Sequence, residues 1–418
     1  MKPLIQFDYT HLVHKFSETQ LHSLIKKKEA VRRDLKHKKE GGEIGFVDLP
    51  YQENPSPLLH LAAEVRQTSE TLLVIGIGGS VLGAKAAISA LAKNKKFKIV
   101  FMENPNPDSL YRLFQEIDLK KTTINVISKS GSTLETLSLF FIFYERMKKI
   151  FSAKELKKRI IVTSETTPNP LTTLAKQFEW RCLTIPLNVS GRFSVLSSVG
   201  LFPMAVAGLS IAKLLAGARW MHDEQRESYL YGTLAYGAHQ LLKKSTTVIF
   251  PYDERLSLFG DWFCQIWAES LAKSELSGPT PMKAIGALDQ HSLLQLFLEG
   301  PGNKWYTTIG IEHFDTDIKI PKTSLIKNFP YLKNTSLSEI LNAEKTATEK
   351  SLIEYHNPLC RLTLPSLSEE TLGALFFHFE LATTAAGYLY QINPFNQPAV
   401  DHGKEWTKKL LHKKISAL

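Results

Sequence analysis

Between Thr71 and Val189, short apolar runs alternate with helix-length segments. TLLVIGI precedes SVLGAKAAISALA, FKIVFME precedes DSLYRLFQEI, TTINVIS precedes TLETLSLFFIFYERM, and RIIVTSE precedes PLTTLAKQFEW, with RCLTIPLNV as the last run. Short β-branched runs without polar alternation mark strands buried on both faces, and the segments between them are long enough to be crossover helices. The pattern predicts a doubly wound α/β domain with a parallel sheet. A second, less regular alternation runs from about Tyr229 to Tyr390 through STTVIFPY, LFGDWFCQIWAESLAK, WYTTIGIE and RLTLP. It closes on a long helix opening at SLSEETLGALFFHFEL, where Ser366 and Glu369 have capping-box spacing. This predicts a second α/β domain, packed closely on the first because no low-complexity linker separates them.

The expected division is a basic N-terminal helical arm over residues 1–45, a first α/β domain over 46–205, a second over 206–390, and a C-terminal segment and helix over 391–418. A chain of 418 residues has room for that many units. Val195 to Ala212 carries no charge, but it contains Pro203 and falls short of the roughly 20 apolar residues a span needs. We expect a loop and a buried core helix there, and no membrane segment. The N-terminus MKPLIQFDYTHLVHKF lacks the apolar core of a signal peptide. Cys182, Cys264 and Cys360 match no metal or redox spacing and read as reduced packing residues of a cytoplasmic protein.

The formal net charge of +10 raises the question of nucleic acid. Lys26 to Lys39 holds eight basic and two acidic residues, so it supplies six of those ten charges. No aromatics interleave with these lysines, as a stacking platform requires, so the stretch reads as a solvated helix without a nucleic-acid partner. The remaining excess helps to draw in a small anion.

Two polar turns carry candidate chemistry. Gly76-Ile-Gly-Gly-Ser-Val-Leu-Gly83 follows the first strand and opens its helix, yet it fails both nucleotide motifs: Val81 stands where a dinucleotide fingerprint needs glycine, and Ala84 where a P-loop needs lysine. What remains is a turn that lets backbone approach a ligand, with Ser80 as a hydroxyl donor. In NVISKSGSTLET the strand is expected to end near Ile127, at the carboxyl edge where open α/β sheets bind ligands. Ser128, Ser130, Ser132 and Thr133 then crowd a helix start whose first amides lack internal partners and whose dipole favours an anion. Lys129 adds charge, and Gly131 lets the chain curve. One hydroxyl suffices for an N-cap; four around a glycine point to a multi-oxygen anion, phosphate above all.

GIGGSVLG, followed by SKSGSTLET, resembles the sugar-isomerase fold that recognises sugar phosphates. Ser190-Gly-Arg-Phe-Ser-Val-Leu-Ser197, Trp267-Ala-Glu-Ser-Leu-Ala-Lys273, Leu288-Asp-Gln-His-Ser292 and Asn393-Pro-Phe-Asn-Gln-Pro-Ala-Val-Asp-His-Gly-Lys404 then appear in order. Together, from about residue 70 to 406, they resemble the glucose-6-phosphate isomerase family. The resemblance implies two sugar-isomerase-type αβα sandwiches and a cytoplasmic aldose–ketose isomerase that works without cofactor or metal. It interconverts glucose 6-phosphate and fructose 6-phosphate through ring opening and a cis-enediolate.

The resemblance also assigns roles. Glu269 matches the catalytic base, and an apolar helix around it would favour base chemistry at neutral pH. By spacing alone, Glu269 is also an i,i+4 partner for Lys273. Gln265 and Gln397 match substrate-binding glutamines. Arg192 matches the cation at the enediolate oxygens. His291 matches a ring-opening imidazole that the neighbouring subunit supplies, which implies a homodimer. Lys404 matches the second ring-opening group, and Gly403 before it suggests a place at a helix start. Ser128, Ser130 and Thr133 match hydroxyls on the phosphate, with Lys129 giving its backbone amide, while Gly79 and Ser80 match sugar-side contacts. The chain departs from the family at Ser190 and Ala272, where glycine is frequent, at Ala84, where proline is frequent, and at Asp401-His402, where Glu-Leu is frequent; these bear on loop geometry rather than reaction type. A non-catalytic sugar-phosphate sensor is the alternative, but it has no use for Glu269, Arg192, His291 and Lys404 together. An isomerase that also takes mannose 6-phosphate is a second.

Overall fold

The computed structural model describes residues 3–52, 54–93 and 97–415; residues 1–2 of the expected arm and 416–418 of the expected C-terminal helix lie outside them. Among the described residues, ten strands form two five-stranded sheets. The strands are β1 (Gln6–Asp8), β2 (Thr71–Ile75), β3 (Lys98–Met102), β4 (Thr122–Ile127), β5 (Ile160–Glu165), β6 (Arg181–Ile185), β7 (Thr246–Pro251), β8 (Thr280–Lys283), β9 (Lys304–Ile311) and β10 (Leu359–Leu364). One sheet runs β3-β2-β4-β5-β6, parallel throughout. The other runs β1-β10-β9-β7-β8 and is parallel except for β1, which pairs antiparallel with β10 from Gln6↔Thr363 to Asp8↔Arg361.

The apolar runs explain the layering. Every residue of β2, β4 and β9 is buried, so both faces of each strand must be covered. Successive side chains divide between two cores, as the two-residue period requires. In the first sheet Leu72, Val74, Ile127 and Ile161 enter a large central core, while Leu73, Ile75, Ile124 and Val126 enter an outer one. The second sheet does the same: Ile249, Trp305, Ile309 and Leu362 face the central core, and Val248, Phe250 and Tyr306 face away. The central core therefore joins both sheets, and helices fill it.

The helices needed here are α1 (Glu18–Glu40), α2 (Leu82–Leu91), α3 (Leu134–Lys148), α4 (Ser198–Val206), α5 (Ile211–Asp223), α6 (Gln225–Gln240), α7 (Ser257–Leu271), α8 (Glu369–Leu389) and α9 (Pro398–Ile415). Helix α8 is buried almost all round, the mark of a central helix, and packs on α5, α6 and α7. Two glycines let α5 and α8 touch backbone to backbone. A Cβ on Gly217 would stand 1.8 Å from the Glu370 carbonyl oxygen, and one on Gly373 would stand 1.9 Å from that of Leu214.

Several sequence expectations are met here, and others are corrected. The charge-free run from Val195 yields α4, buried at every position, and no described helix is long and apolar enough to cross a membrane. The basic stretch lies in α1, which buries Leu24, Val31 and Leu35 against α6 and α8 and turns its other faces outward. The N-terminal segment is not helical throughout, because β1 adds an edge to the second sheet. The capping box of α8 is Ser368 with Thr371, rather than Ser366 with Glu369; the Glu369 carboxylate instead accepts the Ser210 amide at 3.2 Å. Of the three free cysteines, Cys360 is buried and Cys264 half-buried, but Cys182 is exposed on the edge strand β6, so packing does not account for it.

Candidate active site

In the first sheet the chain leaves β2 toward β3 on one side and β4 toward β5 on the other. The loops after β2 and β4 therefore diverge, and a crevice opens between them at the carboxyl edge. These two loops are the glycine-rich turn and the serine-rich turn.

The serine-rich turn keeps its hydroxyls off the helix it opens. Ser128 is buried, Thr133 is half-buried, and their hydroxyls pair at 2.8 Å. Ser130 and Ser132, both exposed, pair at 3.1 Å. Thr133 is the N-cap residue of α3 but makes no side-chain cap bond, so no hydroxyl is spent capping the helix. The amides of the first turn of α3 remain without internal partners. Gly131 holds φ +63°, and a Cβ there would fall 1.8 Å from Asn169 Oδ1. Asn169 in turn donates to Ser164 Oγ, which donates to the carbonyls of Ser128 at 2.7 Å and Lys129 at 3.1 Å. The Lys129 side chain does not offer its charge to the turn. Its ammonium donates to the carbonyls of Leu187 and Val189, each at 2.8 Å, and burial lowers its pKa.

That lysine staple ties the serine turn to the strand of chain leading into the Gly191–Phe193 turn. The glycine-rich turn presses on the same place: a Cβ on Gly79 would stand 2.6 Å from the Arg192 amide nitrogen and 2.4 Å from the Gly191 carbonyl carbon. Gly78 (φ +59°) sits against Gln265, whose Nε2 is 2.8 Å from where a Cβ would be. Ser80 closes this turn, half-buried.

Arg192 is almost wholly buried, at 3% exposure. Its Nε donates to Ser270 Oγ at 2.8 Å, Nη1 to Gln397 Oε1 at 2.9 Å, and Nη2 to the carbonyls of Pro394 and, at 3.0 Å, Asn396. A guanidinium has five N–H groups, so among the described residues these bonds leave one free, on Nη1. Nη1 is also the nitrogen nearest the Glu269 carboxylate, 3.6 Å from Oε2. Burial lowers the guanidinium's pKa and Glu269 opposes that shift. Gln265, one turn earlier on α7, donates from Nε2 to Glu269 Oε2 at 3.4 Å. The carboxylate thus stands half-exposed between an amide and a cation, not in the apolar setting expected from its helix. Nor does it pair with Lys273, whose ammonium donates to the Glu269 carbonyl oxygen instead, at 2.6 Å.

The structure therefore brings Gly79, Ser80, Arg192, Gln265, Glu269 and Gln397 to one place, beside the turn holding Ser128, Lys129, Ser130 and Thr133. His291 and Lys404 stand apart. His291 is exposed at the end of the turn Leu288–His291, which Asp289 holds by accepting the Ile285 amide at 2.7 Å and the Ser292 hydroxyl at 2.6 Å. Lys404 is exposed within α9 and pairs with Asp401 at 3.0 Å. It lies inside the helix that starts at Pro398, so Gly403 does not mark a helix start. Ser190 and Ala272 hold φ of −76° and −80°, which any residue adopts, so these two departures cost no backbone strain.

Sequence reasoning missed three contributors. Thr136, on the first turn of α3, is buried with its hydroxyl unpartnered. Ser270 fixes the Arg192 fork, and Lys273 binds the Asn396 carbonyl. All three lie inside SKSGSTLET or WAESLAK; only the orientation of their side chains was missing.

A crevice at a parallel-sheet switch point, with an anion cradle on one wall and a carboxylate–guanidinium pair on the other, places the protein among sugar-phosphate isomerase folds. The phosphoglucose isomerase family model matches residues 63–417. The chain is 36% identical to a probable glucose-6-phosphate isomerase of Methanococcus maripaludis, covering 93% of this chain and 89% of that one. It is 33% identical to the glucose-6-phosphate isomerase of Methanocaldococcus jannaschii, covering 98% and 100% respectively. A hypothetical protein from Thermus thermophilus superposes with a TM-score of 0.90 at 32% identity, covering 97% and 99% of the two chains. A glucose-6-phosphate isomerase from Chlamydia trachomatis shares the fold at a TM-score of 0.84 and 22% identity, covering 98% and 89%. The chain belongs to the phosphoglucose isomerase family.

Proposed function

We propose that this protein interconverts D-glucose 6-phosphate and D-fructose 6-phosphate by proton transfer between C2 and C1. The observation that carries the reading is the Arg192–Glu269 arrangement: a half-exposed carboxylate 3.6 Å from a buried guanidinium that keeps one N–H unspent. The phosphate is held by Ser128, Ser130, Thr133, the Lys129 amide and the first amides of α3. Gly79, Ser80, Gln265 and Gln397 orient the sugar. His291 and Lys404 pass protons to and from the ring oxygen as the ring opens. Glu269 removes the C2 proton, the cis-enediolate oxygens meet the free N–H of Arg192, and the proton returns to C1.

His291 and Lys404 are exposed in a single chain, which fits a site completed by a second copy. Helix α9 also leaves Val400, Trp406, Leu410 and Leu411 uncovered, which supports a homodimer that buries them. The remaining parts of the reading are a cytoplasmic location and a division into arm, two α/β domains and C-terminal segment. A coupled assay on purified protein with fructose 6-phosphate and mannose 6-phosphate, alongside light scattering, tests the reading. Turnover of fructose 6-phosphate by a dimer is expected. Absence of turnover with retained sugar-phosphate binding would mark a sensor instead.

A further inference from the structure

We infer that Lys273 is a positioning residue of this site: its ammonium latches the segment Asn393–Gln397 to the end of the helix that carries Glu269. The inference rests on the catalytic reading above. The Lys273 backbone is itself fixed, its amide meeting the Leu271 carbonyl at 3.0 Å and Ser277 Oγ at 3.1 Å. From that base, Nζ donates to the Glu269 carbonyl, one of the last carbonyls of α7 that lack a helical partner, and to the Asn396 carbonyl. Arg192 Nη2 donates to the same Asn396 oxygen at 3.0 Å. Two cations from two separate elements thus converge on one carbonyl of the C-terminal segment.

What this carbonyl governs makes the latch functional. Asn396 precedes Gln397, whose Oε1 accepts from Arg192, and α9 with Lys404 begins at Pro398. Upstream, the segment is clamped by packing. Phe395 lies against Phe193, ring centroids 5.1 Å apart, and Pro394 lies against Gly387. Helix α9 is exposed wherever its side chains are described, so the Asn396 carbonyl is the last backbone group held by another element before it. Without the ammonium, the Asn396 carbonyl rests on Arg192 alone, so Gln397 and the root of α9 gain freedom together and the Arg192–Gln397 contact loses its brace.

The charged groups facing the ammonium are Arg192, across from its own helix, and Glu269, on it; the C-terminal segment presents the Asn396 carbonyl oxygen. Burial, then the charge of Arg192, draws the Lys273 pKa down to about 8, with Glu269 opposing. The ammonium is charged below that value and loses its proton as pH rises through it, weakening both charge-assisted bonds. The latch therefore adds an alkaline limb to the activity profile.

The test compares Lys273→Met and Lys273→Arg with the wild-type dimer, measuring kcat and KM for fructose 6-phosphate from pH 6 to 10. Circular dichroism checks that each variant is folded. K273M should lose about ten- to a hundredfold in kcat/KM, the worth of a charge-assisted hydrogen bond. K273R should recover most of that loss and move the alkaline limb upward, because a guanidinium does not titrate there. Wild-type kinetics in K273M, an unshifted limb in K273R, or equal impairment of both folded variants would each overturn the latch. Should K273M fail to fold, the K273R profile decides alone. An inactive wild-type protein would instead overturn the catalytic reading.

Discussion

The Arg192 guanidinium and the Glu269 carboxylate face each other at 3.6 Å without a hydrogen bond between them. The cation spends four donors on protein groups and is locked in place, while among the described residues the carboxylate accepts a hydrogen bond only from the Gln265 amide, at 3.4 Å. A locked cation beside a lightly held base separates the two tasks of enolisation: the base must move a proton, and the cation must already be aimed at the charge that forms.

Replacing Glu269 by Gln preserves shape and removes the base. We predict a fall in kcat of about a hundred- to ten-thousandfold, the usual worth of a general base, with KM little changed. Steady-state kinetics and product-inhibition constants check both halves.

Arg192→Lys keeps the charge but supplies one nitrogen where three nitrogens make four bonds. The buried Pro394 carbonyl loses its partner, at about 1–3 kcal/mol for an acceptor left unpaired, while the Asn396 carbonyl keeps Lys273. Both melting temperature and kcat are predicted to drop, which a thermal melt and a coupled assay measure.

Gly131→Ala forces a Cβ into φ +63° and against Asn169 Oδ1. The left-handed conformation alone costs roughly 1–2 kcal/mol. Asn169 caps the helix Pro170–Phe178 and braces Ser164, so the cost spreads into the anion cradle. We predict a rise in KM for the sugar phosphate and weaker inhibition by inorganic phosphate, with a smaller effect on kcat.

Thr136→Val gives the complementary outcome. The Thr136 hydroxyl is buried and unpartnered, so removing it relieves a desolvation cost in the free protein. The melting temperature should hold or rise, which a thermal melt measures.

The sheets were legible because strands buried on both faces leave continuous apolar runs, as TLLVI and TTINVI do. The edge strand β1, QFD, has neither length nor apolar continuity; it exists only because β10 offers an open edge, and nothing local signals that. The serine-rich turn was legible for a similar reason, since its hydroxyls and glycine are contiguous. The Arg192 site was not: its partners lie 78 to 205 residues away, and two of them are backbone carbonyls that carry no residue signature. The surroundings of Glu269 were misjudged because helix periodicity reports burial, whereas Arg192 reaches it from a different part of the chain. Residue type likewise hid the difference between Lys129, whose ammonium is tied to two carbonyls, and Lys404, which lies exposed on α9.

Proton NMR of glucose 6-phosphate incubated with the protein in deuterated water tests the central claim most directly. If one carboxylate carries the proton between C2 and C1, fructose 6-phosphate appears, deuterium enters at C2 of the recovered glucose 6-phosphate, and E269Q slows both by about a hundredfold or more. Isomerisation and C2 labelling that persist at wild-type rates in E269Q would contradict it.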